Sequence, residues 1–214
     1  MPYKLIALDQ GGLLTNTGEI PSRNVWRAYG LDQKIAEKIW HQHDEDYFGG
    51  KINEGVWWGY FAEKAPNRVL LADVKRIFRE SFEAYPANLQ FVGELTARKL
   101  RGEVGELVTA IWTNNSSEWL DFQKKEFGIQ NYVDMVISSH ELRITKHHLA
   151  FFDAALLRSS KLWGYNFKKD DVWFYDDDQK YITNAQKAGI KNAFHVPRSE
   201  LLPDIVRKTF PIKV

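Results

Sequence analysis

The stretch YKLIALDQGG at residues 3–12 is the most informative part of the sequence for the fold. Its first half is mostly apolar, which predicts a buried strand, and the Gly-Gly pair predicts a turn that needs backbone freedom. Asp9 stands at the end of that strand. Its carboxylate is therefore the first candidate functional group.

Four more short apolar runs follow along the chain, at 107–112, 135–137, 172–175 and 193–196. Stretches with helical periodicity lie among them, at 89–100, 117–127, 147–159, 179–188 and 199–208. Strands that alternate with helices indicate an α/β fold with a Rossmann-like parallel sheet covered by helices on both faces. Ligands of such sheets bind at the carboxyl ends of the strands, and we expect the functional site there.

Residues 15–88 interrupt this alternation. Apolar residues recur there at helical spacing, as at Trp57 and Phe61, and no convincing strand pattern occurs. We predict a helical cap domain at 15–88, inserted into a core domain formed by 1–14 and 89–214. Aromatic residues make up 14% of the chain, and their concentration in the first third predicts a separate core or an apolar pocket wall.

The composition excludes several classes of function. With 0 Cys the chain has no disulfide, thiolate metal site or cysteine nucleophile. The net charge of +1 gives no overall field that would attract nucleic acid or anionic lipid. The sequence shows no secretory leader pattern and no apolar run near the roughly 20 residues of a membrane-spanning helix. We expect a cytoplasmic monomer or homodimer that acts on a small molecule, with neither nucleic acid nor membrane as partner.

Polar residues at the predicted strand ends match the parts of one reaction. Asp9 offers a carboxylate nucleophile, while Thr113 and Asn114, after the second strand, offer a hydroxyl and an amide for phosphate oxygens. Lys146, at the start of the helix after the third strand, offers a positive charge. Each feature alone is typical of a turn, a helix cap or a solvated surface. Their order along the chain indicates an aspartyl-phosphate mechanism.

The fourth strand ends in three consecutive carboxylates at Asp176, Asp177 and Asp178. Adjacent carboxylates repel one another unless a cation binds among them. This run therefore predicts a metal site.

Four motifs carry a family resemblance: IALDQGGLL at 6–14, AIWTNN at 110–115, ELRITKHHLAFFDAAL at 141–156 and VWFYDDDQKYITNAQKAGI at 172–190. With these motifs the chain resembles the haloacid-dehalogenase-like (HAD) superfamily over nearly its whole length. The insertion, with YFGGKINEGVWWGYF at 47–61, is similar to the helical cap of one subfamily. That subfamily contains sugar-phosphate phosphatases and the amino-terminal domain of epoxide hydrolases.

The resemblance implies a Mg²⁺-dependent phosphatase of a small phosphorylated metabolite, in which Asp9 attacks phosphorus and becomes an aspartyl phosphate. It implies four metal ligands, one of them either direct or through water: Asp9, the backbone carbonyl of Gly11, Asp177 and Asp176. It also implies that Thr113 and the Asn114 backbone bind the phosphoryl oxygens. Lys146 would then balance the charge of Asp9 and the phosphate.

Gly11 departs from the family pattern, which usually has a second Asp two residues after the nucleophile to protonate the leaving oxygen. Such acid–base help typically contributes about 10²–10⁴ in rate. Two alternatives therefore stay open. One is a 2-haloacid dehalogenase-type hydrolase, which also lacks the second Asp and works without metal. The other is a catalytically weakened binding or regulatory protein.

Histidine-rich stretches at 41–46 (HQHDED) and 147–148 suggest a further metal site at first sight. Residues two apart do not share a helix face, however, so we interpret 41–46 as the solvated face of a helix. The pair at 147–148, where the family usually has Pro first, is interpreted as the start of the helix 147–159.

Overall fold

The computed structural model describes residues 3–211 of the chain. This range contains five strands: β1 (Lys4–Leu8), β2 (Leu107–Thr113), β3 (Met135–Ser138), β4 (Val172–Asp176) and β5 (Asn192–His195). The same range contains ten α-helices: α1 (Glu19–Tyr29), α2 (Gln33–Phe48), α3 (Glu54–Ala62), α4 (Leu71–Glu80), α5 (Pro86–Leu100), α6 (Ser117–Phe127), α7 (Ser139–Leu142), α8 (Ala150–Trp163), α9 (Gln179–Lys187) and α10 (Leu202–Thr209). Over residues 3–211, no helix has both the length and the apolar character needed to cross a membrane.

The strands form a parallel sheet in the order β3-β2-β1-β4-β5. Alternate residues of β1 face opposite sides, because Ile6 and Leu8 belong to the core on one face and Leu5 and Ala7 to the core on the other. Burial on both faces explains why the strands are continuous apolar runs. The predicted α/β fold with a Rossmann-like parallel sheet is confirmed.

Strand order places a crevice at the carboxyl end of β1. The chain passes from β1 to β2 and β3 on one side and then returns to the other side of β1 for β4 and β5. Connections on the two sides therefore diverge beside β1, and ligands of such sheets bind at that point.

Three predicted helix starts differ from the observed ones by about one turn, and at one of them a 3-10 turn, Ser199–Leu201, leads into α10. Helix α8 begins at Ala150 and not at 147, because the Asn184 amide donates to the carbonyl oxygens of Lys146 at 3.1 Å and His147 at 3.2 Å. These two carbonyl oxygens thus accept hydrogen bonds from a side chain in the segment before the helix. Helix α5 begins at Pro86 and not at 89, and proline suits the first turn because that position needs no backbone N–H.

Helices α1 to α4 follow β1 and pack around an aromatic cluster of their own, which includes Trp57, Phe61 and Phe78. Trp119 from α6 completes this cluster, with its ring centroid 4.1 Å from that of Phe78. The inserted helices are therefore attached to the sheet through a shared apolar contact. The domain boundaries at 14/15 and 88/89 stay predictions.

Candidate active site

Asp9 directly follows β1, at the carboxyl edge of the sheet. Its backbone N–H donates to the Tyr175 carbonyl oxygen at 2.8 Å, which extends the pairing between β1 and β4 by one residue. The nearly buried carboxylate accepts a hydrogen bond from the Gln10 N–H at 2.7 Å through Oδ1. The same oxygen lies 2.9 Å from Lys146 Nζ. Backbone pairing and an ion pair thus fix this carboxylate.

Lys146 is completely buried, and its ammonium joins two carboxylates. Nζ lies 2.9 Å from Asp9 Oδ1 and 2.6 Å from Asp176 Oδ2, and it stands 4.6 Å from the centre of the Tyr181 ring. Burial favours the neutral amine, but the charges of Asp176 and Asp9 outweigh it and hold the pKa of Lys146 above its ordinary value. The site therefore contains a permanent positive charge.

Asp9, Asp176 and Asp177 each bring a carboxylate oxygen within 4.8 Å of the other two. Burial, followed by the charge of Asp9, raises the pKa of Asp177 to about 6, and burial also raises the pKa of Asp176. Three carboxylates face the single charge of Lys146, so negative charge is in excess. A divalent cation would relieve this excess, and Mg²⁺ suits a small set of oxygen ligands because it retains several waters.

Gly12 makes room for these carboxylates. Its φ is +77°, and a Cβ there would overlap the carboxylate of Asp177. At Gly11, by contrast, the heavy atom nearest to a built Cβ is Thr17 Cα at 3.7 Å, an ordinary contact. Steric crowding therefore requires glycine at position 12 and not at position 11.

Thr113, the last residue of β2, and Asn114 form the next part of the site. Both the oxygen and the nitrogen of the Asn114 side-chain amide form hydrogen bonds. Its Oδ1 accepts the Lys146 N–H at 2.8 Å, and its Nδ2 donates to the Tyr181 hydroxyl at 3.2 Å. This side chain positions Lys146, which leaves the Asn114 backbone for the phosphate contact that the sequence predicts.

A cavity of about 340 Å³ lies between the sheet edge and α2. Its core side includes five predicted site residues: Asp9, Gly11, Thr113, Asn114 and Asp177. Its α2 side includes Trp40, His41, Asp44 and Phe48. Lys146 and Asp176 are buried behind Asp9 and contact it or each other. The structure therefore brings all seven predicted site residues together, while their individual roles stay predictions.

Asp44 was missed by the sequence interpretation, which is wrong in making it part of a solvated face. Its side chain is only 17% exposed and lines the cavity. Trp40, Asp44 and Phe48 are spaced four residues apart, so they share one stripe of α2. A carboxylate flanked by aromatics at this spacing was the available signal.

Gln10 is a second residue that sequence reasoning missed. It is buried, and its Nε2 donates to Gln123 Oε1 at 2.6 Å. The Asn115 amide donates to the same oxygen at 2.7 Å. This network ties the turn after β1 to the turn after β2, and so it fixes the two loops that carry Asp9 and Asn114.

Solved structures share this fold over nearly their full length. A predicted HAD-like family hydrolase from Porphyromonas gingivalis is 16% identical, with a TM-score of 0.72 and coverage of 97% of this chain and 98% of that one. The magnesium complex of a HAD family enzyme from Bacteroides thetaiotaomicron is 18% identical, with a TM-score of 0.70 and coverage of 92% and 94%. The L-2-haloacid dehalogenase of Xanthobacter autotrophicus is 19% identical, with a TM-score of 0.64 and coverage of 96% and 98%. At these identities the similarity establishes the fold alone.

The sequence of this chain matches one family of known proteins. No curated protein matches the chain. The model of haloacid dehalogenase-like hydrolases matches residues 34–195, which include Thr113, Lys146, Asp176 and Asp177 and begin after Asp9. This match spans well over half of the chain, and the chain therefore belongs to the haloacid dehalogenase-like hydrolases.

Proposed function

We propose that the protein is a Mg²⁺-dependent phosphatase that hydrolyses a small phosphorylated metabolite through an aspartyl-phosphate intermediate. The observation that carries this proposal is the convergence of three carboxylates and a buried ammonium beside one cavity. Carboxylate ligands, a fixed carboxylate nucleophile and a charge-balancing lysine are what phosphoryl transfer through an aspartate needs.

Asp9 is the proposed nucleophile. Lys146 and the Gln10 N–H both contact its Oδ1, so the carboxylate is held in one orientation beside a positive charge. An Asp9 oxygen bonds to phosphorus as the bond to the leaving oxygen breaks. Water then hydrolyses the aspartyl phosphate and restores the carboxylate.

The metal would be held by the carboxylates of Asp9, Asp176 and Asp177, with the Gly11 carbonyl as a further ligand. Bound Mg²⁺ supplies charge neutralisation to the phosphoryl oxygens and the carboxylates. The magnesium complex of the B. thetaiotaomicron enzyme, which shares the fold, supports this assignment. Thr113 and the Asn114 backbone are the proposed contacts to the phosphoryl group.

Dehalogenation of a 2-haloacid is the second candidate, and the shared fold of the X. autotrophicus dehalogenase favours it. That reaction needs no metal. A 2-haloacid also carries a carboxylate, which the excess negative charge of Asp9, Asp176 and Asp177 would repel. Halide release in the presence of a chelator would establish this function in place of the phosphatase.

Purified protein with Mg²⁺ should release phosphate from members of a panel of aryl, alkyl and sugar phosphates. Asp9→Asn should abolish release, because an amide cannot serve as the nucleophile. Asp121→Asn is a matched control, since Asp121 is exposed on α6. If folded protein with bound Mg²⁺ released no phosphate from the panel, the phosphatase proposal would be wrong. A binding or regulatory role would then be favoured.

We further propose that the enzyme works in the cytoplasm as a monomer or homodimer, without a nucleic-acid or membrane partner. The net charge of +1 supports the last part. Size-exclusion chromatography with light scattering measures the oligomeric state.

A further inference from the structure

The proposed reaction needs a proton donor that the loop after β1 does not supply. An alkoxide is a poor leaving group, so cleavage of an alkyl phosphate requires a proton at the leaving oxygen. Gly11, which lines the cavity two residues after Asp9, has no side chain to give one. The donor must therefore come from another wall of the cavity. This inference rests on the proposed phosphatase function.

Asp44 and His147 face each other across this cavity. His147 Nε2 lies 4.0 Å from Asp44 Oδ2, and the two side chains are 23% and 17% exposed. His147 Nε2 also lies 3.3 Å from the Tyr181 hydroxyl, which accepts the Asn114 amide at 3.2 Å. Hydrogen bonds thus continue from the proposed phosphate loop to His147, and the Asp44 carboxylate on α2 lies 4.0 Å beyond it. Asp9, Asp44 and His147 line the same cavity, which is where the leaving group of a substrate bound at Asp9 would have to lie.

His147 itself is a poor acid. Lys180 Nζ lies 2.9 Å from its Nδ1, and an ammonium can only donate, so Nδ1 is an acceptor and the ring proton is on Nε2. Burial, followed by the charge of Lys180, lowers the pKa of His147 and keeps the ring neutral. A neutral imidazole holds its last proton far too strongly to donate it. Of these two side chains, only the Asp44 carboxyl can therefore act as the acid.

Three other proton carriers that line the cavity, Tyr181, Asp178 and Glu19, are less suited as donors. Burial raises the pKa of the Tyr181 phenol, which weakens it as an acid. Asp178 caps α9 by accepting the Lys180 N–H at 2.7 Å. Glu19 pairs with Arg23 at 2.7 Å on the exposed side of α1.

We propose that Asp44 is the general acid and base of the reaction. Its carboxyl gives a proton to the leaving oxygen as the Asp9–phosphorus bond forms, and the product leaves as a neutral alcohol. The Asp44 carboxylate then takes a proton from the water that attacks phosphorus, as the bond between Asp9 and phosphorus breaks. Both residues return to their starting states, and no further reactant is consumed.

The surroundings of Asp44 suit this role. Burial raises the pKa of its carboxyl, and His147 would oppose that rise only with the charge that it carries when protonated. The other titratable groups that act on it are His41 and Glu45, both on its own helix. A carboxyl that is protonated closer to neutral pH is a better donor.

Asp44→Asn tests the proposal through the leaving group. Release of the leaving group in the first turnover is measured with two substrates. One is p-nitrophenyl phosphate, whose phenolate leaves without a proton, and the other is an alkyl phosphate that the wild type hydrolyses. We expect a loss of about 100-fold or more with the alkyl phosphate and of about threefold or less with the aryl phosphate. Asp46→Asn is the matched control, because Asp46 lies on the same helix and pairs with Lys51 at 2.8 Å on the surface. The surviving aryl rate also shows that the variant is folded.

Other outcomes overturn the proposal in distinguishable ways. Equal losses with both substrates would make Asp44 a structural residue, and no loss would show that another group donates the proton. A wild type that cleaves only the aryl phosphate would need no general acid, although it would still be a phosphatase. Phosphate release from neither substrate would remove the phosphatase function itself.

Discussion

Lys146→Met removes the ammonium that joins Asp9 to Asp176 and leaves a side chain of similar length. The two ion pairs measure 2.9 Å and 2.6 Å. At an effective dielectric constant of about 20, each attraction is about 6 kcal/mol before the desolvation of the charges is subtracted. Loss of one partner from a buried ion pair typically costs about 3–5 kcal/mol, since the other charges stay buried. We expect the free energy of unfolding of the metal-free protein to fall by this amount.

Urea unfolding in a chelator, followed by tryptophan fluorescence, measures this change. Lys51→Met is the control, because Lys51 is 63% exposed and its pair with Asp46 lies on the surface. Exposed pairs contribute about 0–1 kcal/mol, so the control should unfold almost like the wild type.

Mg²⁺ should stabilise the variant more than it stabilises the wild type. Without the charge of Lys146, the carboxylates of Asp9, Asp176 and Asp177 attract a cation more strongly, so Mg²⁺ should raise the melting temperature of Lys146→Met more than that of the wild type. Turnover of the proposed phosphate ester should still be lost, because the positive charge of Lys146 no longer balances the charges of Asp9 and the phosphate. A loss of less than about 1 kcal/mol would show that the Lys146 ammonium is not a stabilising partner of the two buried carboxylates. A smaller stabilisation of the variant than of the wild type by Mg²⁺ would show that Lys146 does not compete with the cation for these carboxylates.

Three further predictions concern the metal and the loops around it. Gly12→Ala should weaken Mg²⁺ binding, measured by calorimetry, by about tenfold or more, because the new Cβ displaces the Asp177 carboxylate. Gly164→Ala is the control, because Gly164 also has a positive φ, +73°, but a Cβ there would meet open space. Asn114→Ala frees the Lys146 backbone, so kcat should fall by about tenfold or more while calorimetry shows unchanged Mg²⁺ affinity. The rise in melting temperature caused by Mg²⁺ should shrink as the pH falls through about 6, because the metal must displace the proton that Asp177 then holds. An unchanged rise between about pH 5 and 8 would contradict this.

Much of the core of the site could be predicted because it depends on strand ends. In a parallel sheet buried on both faces, the apolar runs stop where the chain reaches the edge, so Asp9, Thr113 and Asp176 mark that edge directly. The parallel pairing then brings them together without further information. Lys146 was found only through its motif, since nothing in its local sequence shows that it is completely buried.

Other features depend on contacts between distant segments, and the local sequence does not show them. The late start of α8 arises from the Asn184 amide, which lies on α9 and takes the carbonyls before the helix. Asp44 belongs to the cavity because α2 packs over the sheet edge, and a helix pattern alone does not show which polar face is covered. The burial of Gln10 depends likewise on Gln123 from α6.

The charges of the site also determine the order in which its ligands must bind. When Asp9, Asp176 and Asp177 are all ionised they carry three negative charges and Lys146 returns one, so the metal-free site then has a net charge of about −2. A phosphate monoester of similar charge would be repelled from it. A divalent cation held by these carboxylates would bring the total close to zero, and the repulsion of the dianion would then be lost. For the proposed phosphatase we therefore expect metal binding to precede substrate binding, so a phosphate ester should protect the protein from thermal unfolding only when Mg²⁺ is present.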